Sequence, residues 1–409
     1  MATLSLDKDH IRFLLLEGIH TAALETLSAS GYTNVEQHKQ SLSGEALKAS
    51  LAQAHFIGIR SRTQLTAEVI AAAPKLIGVG CFCIGTNQVD LAAAEAAGVP
   101  VFNSPFSNTR SVAELVLAEI IMLLRGIPEK NAAAHRGEWL KSANDAYEVR
   151  GKRLGIVGYG HIGTQLSVLA ESLGMKVRFH DIEHKLPLGN AEAANGLTAL
   201  LSESDVVSLH VPSTPVTSGM IGAKELGLMK PGSVLVNASR GDIVDIDALD
   251  SALDSGALSG AALDVFPTEP KANTEQFDSP LRRHDNVILT PHIGGSTQEA
   301  QQNIASEVAG KMIRYSDTGT TASAVNFPQA SLPDNLNHTR ILHIHRNEPG
   351  HLQRINQVFS DRKINIAAQY LQTSNAIGYV VMDVDVESPA ELMAELKALD
   401  GTIRARLLH

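Results

Sequence analysis

The chain has 409 residues, of which 44% are hydrophobic and 19% are charged, a composition typical of a globular protein with two or three domains. Its formal net charge of −10 and the absence of a Lys/Arg-rich run argue against nucleic acid or an anionic membrane as a partner. No window reaches about 18 apolar residues, and the N-terminus does not resemble a signal peptide. We therefore expect a cytoplasmic protein that does not span a membrane.

Cys81 and Cys83 are the only cysteines. They are separated by one residue, and a disulfide that spans a single residue is strained. A C-x-C pair could be half of a metal site, but it would need partners of the same kind, and the sequence has none. We expect two buried thiols in a reducing compartment and no metal site.

Short apolar runs alternate with Ala-rich helical segments over the first hundred residues. Continuous apolar strands between helices indicate a parallel sheet that is covered on both faces. The predicted strands are Ile11–Leu16, His55–Ile59, Leu76–Val79 and Val99–Phe102. The predicted helices are Thr21–Ser30, Thr66–Ala73 and Val89–Ala97.

A long amphipathic helix is predicted from about Thr109 to Arg125, and a polar stretch from Glu129 to Glu148 holds the only tryptophan, Trp139. The strand–helix alternation restarts at Gly151 and predicts a second, larger α/β unit. Its predicted strands are Leu154–Val157, Val177–His180, Val206–His210, Val234–Asn237, Ala261–Val265 and Val287–Leu289. A helix from Thr297 to Tyr315 is expected to return the chain to the first unit.

The last 70 or so residues have a different order of elements, βαββαβ, which is typical of a ferredoxin-like module. The predicted elements are strand Ile341–His345, helix His351–Asp361, strands Ile364–Tyr370 and Gly378–Val386, helix Ala390–Leu399 and strand Ile403–Leu407. We therefore expect an α/β fold with two doubly wound, Rossmann-like domains and a ferredoxin-like domain. The predicted domains comprise residues 1–107 with 298–330, residues 108–297, and residues 338–409.

Gly158, Gly160 and Gly163 form a G-x-G-x-x-G motif between a predicted strand and a predicted helix. Asp181 ends the next strand, about 20 residues further on, as the dinucleotide-binding fingerprint requires. The carboxylate would accept hydrogen bonds from the adenosine ribose and repel a 2′-phosphate, which favours NAD over NADP. A tight turn without a ligand and a methyltransferase-type loop are the alternatives.

Arg240, Glu269 and His292 follow three predicted strands of the same unit, where open α/β sheets bind ligands. Oxidation of a 2-hydroxy acid needs a base for the hydroxyl proton, a carboxylate that orients this base, and a guanidinium that holds the substrate carboxylate. His292, Glu269 and Arg240 can supply these three groups. Each residue alone would more often be structural or solvated, so the prediction depends on the three together.

The ordered motifs G-x-G-x-x-G, N-A-S-R-G, D-V-F-x-x-E-P and T-P-H-I-G-G resemble those of the D-isomer-specific 2-hydroxyacid dehydrogenases over essentially the whole chain. The resemblance implies catalytic roles for Arg240, Glu269 and His292. It also implies NAD as the cofactor. The implied NAD contacts are Gly158, Gly160, His161, Ile162, Gly163, Asp181, His210, Ala238, Ser239, Arg240, Asp264, His292, Ile293, Gly294 and Gly295.

Within this family the chain is most similar to the short bacterial enzymes that oxidise 3-phospho-D-glycerate, and it carries their motifs R-S-R-T and N-T-R-S-V-A-E. The resemblance implies that substrate, with 2-oxoglutarate reduction as a side reaction. There are two alternatives. The enzyme could oxidise another D-2-hydroxy acid, or the protein could be a non-catalytic regulator that senses NAD(H). The implied substrate contacts are Arg60, Ser61, Asn108 and Arg240, with Lys39 and Lys141 as candidate phosphate ligands. For either lysine, a solvated surface role is an equal alternative.

The C-terminal module resembles an ACT domain, a module that binds amino-acid effectors. The resemblance implies that His345, Asn347 and Asn365 bind L-serine between two paired modules of a homotetramer that associates through its Rossmann and ACT domains. A dimerisation module without a ligand is the alternative. Related enzymes have a Gly-Gly pair in the linker, where this chain has Asp334–His338. The strength of inhibition by serine is therefore left open.

Overall fold

The computed structural model describes residues 6–270, 274–333, 338–386 and 389–408. The chain forms two compact units, of which one comprises residues 1–107 and 301–409 and the other residues 108–300. The three domain boundaries expected from the sequence remain predictions. Four of the five linker residues that replace the Gly-Gly pair, Asp334 to Asn337, lie outside the described residues.

The first unit begins with a parallel sheet in the order β2-β1-β3-β4-β5. Its strands are β1 (Phe13–Leu15), β2 (Val35–Gln37), β3 (Phe56–Ile59), β4 (Gly78–Cys81) and β5 (Val101–Phe102). The intervening helices are α1 (Ala22–Ala29), α2 (Gly44–Leu51), α3 (Ala67–Ala71) and α4 (Leu91–Ala96). Sequence reasoning missed β2 because this edge strand is partly exposed and has no apolar run. Cys81 is buried as expected, whereas Cys83 is only partly buried, and both are free thiols.

The second unit has a seven-stranded parallel sheet in the order β12-β11-β10-β9-β6-β7-β8. Its strands are β6 (Arg153–Val157), β7 (Lys176–His180), β8 (Glu192–Ala193), β9 (Val206–Leu209), β10 (Ser233–Asn237), β11 (Leu258–Leu263) and β12 (Val287–Leu289). Its helices are α5 (Thr109–Leu124), α6 (Ile127–His135), α7 (His161–Ser172), α8 (Leu197–Glu203), α9 (Ala223–Leu228) and α10 (Ile246–Asp254). The strand order reverses between β6 and β9, which is where a doubly wound sheet binds its ligand.

The stretch from Glu129 was predicted only to be polar, with no helix assigned, and residues Ile127–His135 form helix α6. Its sequence has an Ala-rich second half, and Pro128 lies in its first turn, where a proline is tolerated. The helix buries only Ala133, so it lacks the apolar periodicity on which the prediction was based.

The chain continues through α11 (Gln298–Thr318), and one boundary between the two units lies within this helix. The last elements are β13 (Thr339–Arg346), α12 (His351–Asp361), β14 (Ile366–Thr373), β15 (Ile377–Val384), α13 (Pro389–Ala398) and β16 (Thr402–Leu408). They form an antiparallel sheet in the order β14-β15-β13-β16, so the predicted ferredoxin-like βαββαβ topology is confirmed.

The two faces of this antiparallel sheet belong to different hydrophobic cores. Leu342, Ile344 and Tyr379 pack in the same core as Phe13 and Tyr315 of the parallel-sheet region. The opposite face, with Ile341 and Met382, forms a separate core under α12 and α13. The C-terminal module therefore shares a continuous apolar core with the rest of the first unit.

Candidate active site and cofactor site

The turn after β6 is shaped by its glycines. Gly158 has φ +91°, and a Cβ there would lie 2.3 Å from the carbonyl oxygen of His210. A Cβ at Gly163 would lie 2.2 Å from the carbonyl oxygen of Gly158, so only glycine fits at either position. A Cβ at Gly160 would have no neighbour within 4 Å. The backbone at Gly160 is thus open to close approach by a phosphate group.

Helix α7 begins at His161, directly after this turn, and its N-cap Gly160 has no side chain to satisfy the N–H groups of the first turn. Such a helix start attracts phosphate oxygens through its N–H groups and its dipole. Asp181 follows β7, and its Oδ2 accepts a 2.8 Å hydrogen bond from the N–H of Tyr159. Its Oδ1 accepts a 2.9 Å hydrogen bond from the N–H of Glu183. The helix start and the carboxylate fit the pyrophosphate and ribose of NAD.

The loop after β10 is organised by the fully buried Asn237. Its Oδ1 accepts hydrogen bonds from the N–H (3.1 Å) and the hydroxyl (2.8 Å) of Ser239. Its Nδ2 donates to the carbonyl oxygen of Arg240 at 2.9 Å. A Cβ at Gly241 would lie 2.0 Å from the carbonyl carbon of Phe266, so this loop packs directly against the loop after β11. Asn237 therefore fixes the backbone that presents Ala238, Ser239 and Arg240.

Asp264, directly after β11, holds the turn that carries His292. Its Oδ1 accepts hydrogen bonds from the Thr290 hydroxyl at 2.6 Å and from the N–H of Ile293 at 2.8 Å. Its Oδ2 accepts the N–H of Gly294 at 2.8 Å. His292 has φ +55°, a conformation that costs energy for a residue with a side chain. The contacts of Asp264 on both sides of His292 stabilise that strained backbone.

His292 and Glu269 form a hydrogen-bonded pair in which Nδ1 of His292 lies 2.9 Å from Oε2 of Glu269. Glu269 is itself held by the N–H of Phe266, which donates to Oε1 at 3.1 Å. Since Nδ1 faces a carboxylate, it carries the ring proton, and Nε2 keeps the lone pair of a base. The His292 side chain is 54% exposed, so a substrate can reach it.

Electrostatics supports this pairing. The hydrogen bond to Glu269 raises the pKa of His292 above its usual value, against burial, which lowers it. Burial raises the pKa of Glu269, but the hydrogen bond from His292 and the charges of His292 and Arg240 hold it below its usual value. The Arg240 charge also lowers the pKa of His292, so it acts on both members of the pair. Together the three side chains can hold a carboxylate and move a proton.

The other predicted site residues lie in both units. In the second unit, Asn108 is buried, and its amide nitrogen is 2.5 Å from where a Cβ of Gly295 would lie. Burial lowers the pKa of His210, which directly follows β9, to about 4. In the first unit, Arg60 and Ser61 directly follow β3, and Lys39 is exposed. Lys141, in the second unit, is also exposed.

Within one chain, the predicted serine ligands lie at opposite ends of the antiparallel sheet. The N–H of Asn347 donates to Ala376, just before β15, whereas Asn365 accepts from the N–H of Asp385, just after it. Strand β15 is eight residues long, which corresponds to about 25 Å. His345 and Asn347 of one chain therefore cannot meet its own Asn365 around one amino acid.

Sequence reasoning missed three residues near these sites. Asn237 lies in the N-A-S-R-G motif, whose asparagine could have been recognised as a loop organiser. Glu17 has φ +65°, and its carboxylate accepts hydrogen bonds from the N–H groups of Arg62 and Thr63. Glu119 on α5 is 1% exposed, and neither carboxylate oxygen has a partner among the described residues. The only signal for Glu119 was its position as the one charged residue in the apolar stretch Leu115–Leu124 of α5.

The second unit thus has the fold and cofactor turn of an NAD-dependent dehydrogenase. Residues 117–294 match the family model described as D-isomer specific 2-hydroxyacid dehydrogenase, NAD binding domain, and residues 341–404 match an AHAS small subunit-like ACT domain. The chain belongs to the D-isomer-specific 2-hydroxyacid dehydrogenase family. It is an NAD-dependent enzyme, as the sequence predicted, and the predicted fold class is confirmed.

Similar proteins and solved structures support the same family assignment. The chain is 62% identical over 411 residues to D-3-phosphoglycerate dehydrogenase of Escherichia coli, with 100% of both chains covered. It is 61% identical over 405 residues to the enzyme of that name from Haemophilus influenzae, with 99% of each covered. A D-lactate dehydrogenase from Aquifex aeolicus, crystallised with NAD and lactic acid, matches with a TM-score of 0.65 and 28% identity, covering 74% of this chain and 95% of that one. Among the described residues, no helix is long and apolar enough to cross a membrane.

Proposed function

We propose that this enzyme oxidises 3-phospho-D-glycerate to 3-phosphohydroxypyruvate with NAD, the first step of L-serine biosynthesis. The observation that carries the chemistry is the 2.9 Å pair of His292 and Glu269 beside Arg240. The substrate comes from full-length relatives named D-3-phosphoglycerate dehydrogenase. Arg240 holds the substrate carboxylate, and Nε2 of His292 takes the proton of the 2-hydroxyl. Bound NAD supplies the acceptor for the hydride that leaves C2.

The remaining substrate contacts are part of this proposal. Arg60, Ser61 and Asn108 bind the carboxylate or phosphate, and Lys39 or Lys141 neutralises the phosphate. Glu17 supports this assignment because its carboxylate anchors the backbone of Arg62 and Thr63, immediately after Arg60 and Ser61. The enzyme is expected to be cytoplasmic.

A substrate panel tests the proposal. NADH formation is measured with 3-phospho-D-glycerate, D-lactate and D-glycerate, and the reverse reaction is measured with 3-phosphohydroxypyruvate and 2-oxoglutarate. We expect the highest kcat/KM for 3-phospho-D-glycerate in the forward reaction and for 3-phosphohydroxypyruvate in the reverse reaction. Reduction of 2-oxoglutarate should be slow. A preference for an unphosphorylated acid would indicate another D-2-hydroxy acid as the substrate. Absence of turnover on every acid would indicate an NAD(H)-sensing regulator.

We also propose that L-serine inhibits the enzyme by binding between two C-terminal modules. The positions of Asn347 and Asn365 at opposite ends of the sheet support a site shared by two chains. The Nδ2 of Asn347 donates to Ser374 at 2.8 Å, which leaves its amide oxygen to accept from an ammonium group. A shared ligand can inhibit only if it favours one arrangement of the enzyme over another.

Single substitutions test this regulation better than truncation. Removal of the residues after Asn326 would expose the core that Leu342, Ile344 and Tyr379 share with the parallel-sheet region. Asn347→Ala and Asn365→Ala should each raise the serine concentration for half-inhibition at least about tenfold and leave the basal rate unchanged. Gln353→Ala, at an exposed position of α12, is the matched control. Inhibition that is equally strong in all variants would place serine elsewhere.

The proposed assembly is a homotetramer that associates through the second unit and the C-terminal modules. Trp139 and Leu140 have exposed fractions of 85% and 52%, and large exposed apolar side chains of this kind often mark an interface. Lys141 follows them directly, so it could approach the substrate of a neighbouring chain. Light scattering of the wild type and of Trp139→Ser should show a tetramer that the substitution weakens.

A further inference from the structure

Three buried histidines lie together in the C-terminal module. His343 and His345 are two residues apart on β13, so both side chains face the layer of α12 and α13. His351 is the first residue of α12. Their exposed fractions are 0%, 3% and 1%, and one ring nitrogen of each lies within 4.8 Å of one ring nitrogen of each other histidine.

One nitrogen of each ring has no hydrogen-bond partner among the described residues: Nδ1 of His343, Nδ1 of His345 and Nε2 of His351. The layer around them is apolar and includes Ile341, Ile355 and Leu396. A buried polar atom without a partner costs about 1–3 kcal/mol, so three such atoms in one place favour the binding of a ligand there. Burial also lowers the pKa of His343 to about 4 and of His345 to about 3, so these two rings are uncharged at neutral pH.

The tautomer of His343 follows from its neighbours. The Thr402 hydroxyl has one proton, which it donates to the carbonyl oxygen of Leu396 at 3.0 Å. Nε2 of His343 lies 3.0 Å from that hydroxyl oxygen and 3.3 Å from the same carbonyl, so Nε2 carries the ring proton and donates. Nδ1 therefore keeps a lone pair that has no partner in the part of the chain that the structure describes. A ring held through one nitrogen with the other free is the usual arrangement of a metal-binding histidine.

We propose that His343, His345 and His351 form a binding site for a divalent transition-metal ion of the zinc type. Neutral imidazoles are preferred ligands of Zn²⁺, Co²⁺ and Ni²⁺, and three histidines leave one position open to water or to another ligand. Zinc–nitrogen distances of about 2.0–2.1 Å place the nitrogens of a tetrahedral site roughly 3.4 Å apart. One nitrogen of each of the three rings lies within 4.8 Å of the other two, which is compatible with such a site.

Two contacts must change when the ion binds. The rings of His345 and His351 are stacked, with centroids 4.1 Å apart and an interplanar angle of 5°, so one ring has to rotate for both lone pairs to converge. Nη2 of Arg354 also donates to Nδ1 of His351 at 3.1 Å, which keeps the ring proton on Nε2. Coordination through Nε2 moves that proton to Nδ1 and displaces the Arg354 side chain. Because Arg354 is exposed, its displacement into solvent is easy.

Titration of the full-length, chelator-treated protein with Zn²⁺ tests the site, with Co²⁺ as a spectroscopic probe. The wild type should bind one ion per chain, with a tetrahedral Co²⁺ absorption spectrum and a raised thermal midpoint. His351→Val should weaken Zn²⁺ binding at least about tenfold. His135→Ala removes an exposed histidine of α6 and should change nothing. Arg354→Gln should strengthen binding, because the competing donor is lost.

Three results would overturn the assignment: no binding to the wild type at micromolar Zn²⁺, equal binding by His351→Val, or equal binding by Arg354→Gln. Far-ultraviolet circular dichroism and thermal unfolding of the metal-free variants establish that each is folded. A variant that does not fold is replaced by His343→Asn, which keeps a polar side chain but removes the ligand nitrogen. His345 is also a predicted serine ligand, so the metal site shares this residue with the proposed effector site. These measurements use neither turnover nor serine, so failure of the metal site can be told apart from failure of the proposed function.

Discussion

Histidines in two regions of this enzyme have opposite pKa shifts. The hydrogen bond to Glu269 raises the pKa of His292. His343 and His345 lie in the apolar layer of the C-terminal module, where burial and the neighbouring cationic groups lower the pKa to about 4 and about 3. A carboxylate and access to solvent make one imidazole a proton acceptor, whereas burial keeps the other two as neutral lone-pair donors.

The carboxylates show the same contrast. Glu269 accepts two N–H groups, and its pKa is lowered despite the opposing effect of burial. Glu119 has no partner among the described residues, and burial, followed by the charge of Asp264, raises its pKa to about 8. Partners rather than residue type thus decide which groups are charged. The substitutions below test this difference.

The largest effect is expected for His292→Ala. Turnover should fall about 100-fold or more, since general base catalysis contributes roughly 10²–10⁴. The NADH dissociation constant should stay near that of the wild type, because Ile293 and Gly294 remain held by Asp264. Steady-state rates and fluorescence titration check both parts, with His135→Ala as the control. Turnover near the wild-type value would exclude His292 as the base.

Glu269→Gln should lower kcat about 10- to 100-fold. Gln has one acceptor oxygen, whereas Glu269 accepts from both Phe266 and His292, so one of these donors loses its partner. The charge that raises the pKa of His292 is also lost, so this pKa falls. Oxidation needs unprotonated His292, and the acid limb of kcat/KM against pH should therefore move to lower pH. An acid limb that does not move would assign it to another group.

The two regions also differ in how far the sequence predicted them. The dinucleotide turn and Arg240, Glu269 and His292 were selected from local motifs, because each motif places one functional group at a strand end. The cluster of His343, His345 and His351 was not predicted, although β13 and α12 were. An i, i+2 spacing indicates a shared strand face, but the approach of His351 depends on how α12 packs on the sheet. Packing of this kind has no local signature.

Asp181→Ala should reduce the preference for NAD over NADP about tenfold or more. A hydrogen bond to a charged group stabilises by about 1.5–3 kcal/mol, and repulsion of a 2′-phosphate disappears as well. The kcat/KM values with the two cofactors give the ratio. Glu183→Ala, two residues further on at an exposed position, is the matched control. If the ratio of kcat/KM with NAD to kcat/KM with NADP is unchanged in Asp181→Ala, another residue must bind the ribose hydroxyls.

The smallest effect is expected for Glu119→Gln, on stability. The pKa of Glu119 is about 8 in the folded enzyme against an ordinary value of 4.5, so the folded state keeps a proton that the unfolded chain releases between these values. Stability therefore falls as pH rises from 4.5 to 8. Glutamine resembles the protonated acid and does not titrate. Glu119→Gln should thus raise the free energy of unfolding by about 1–3 kcal/mol at pH 8 and by much less at pH 5.

Thermal midpoints of the wild type and of Glu119→Gln, measured at pH 5, 6, 7 and 8, check this prediction. The difference between the two proteins should grow steadily with pH. Glu192→Gln, at an exposed position of the same unit, should show no such trend. A constant difference at every pH would mean that Glu119 does not release its proton on unfolding, and that the contrast with Glu269 arises from packing rather than from charge.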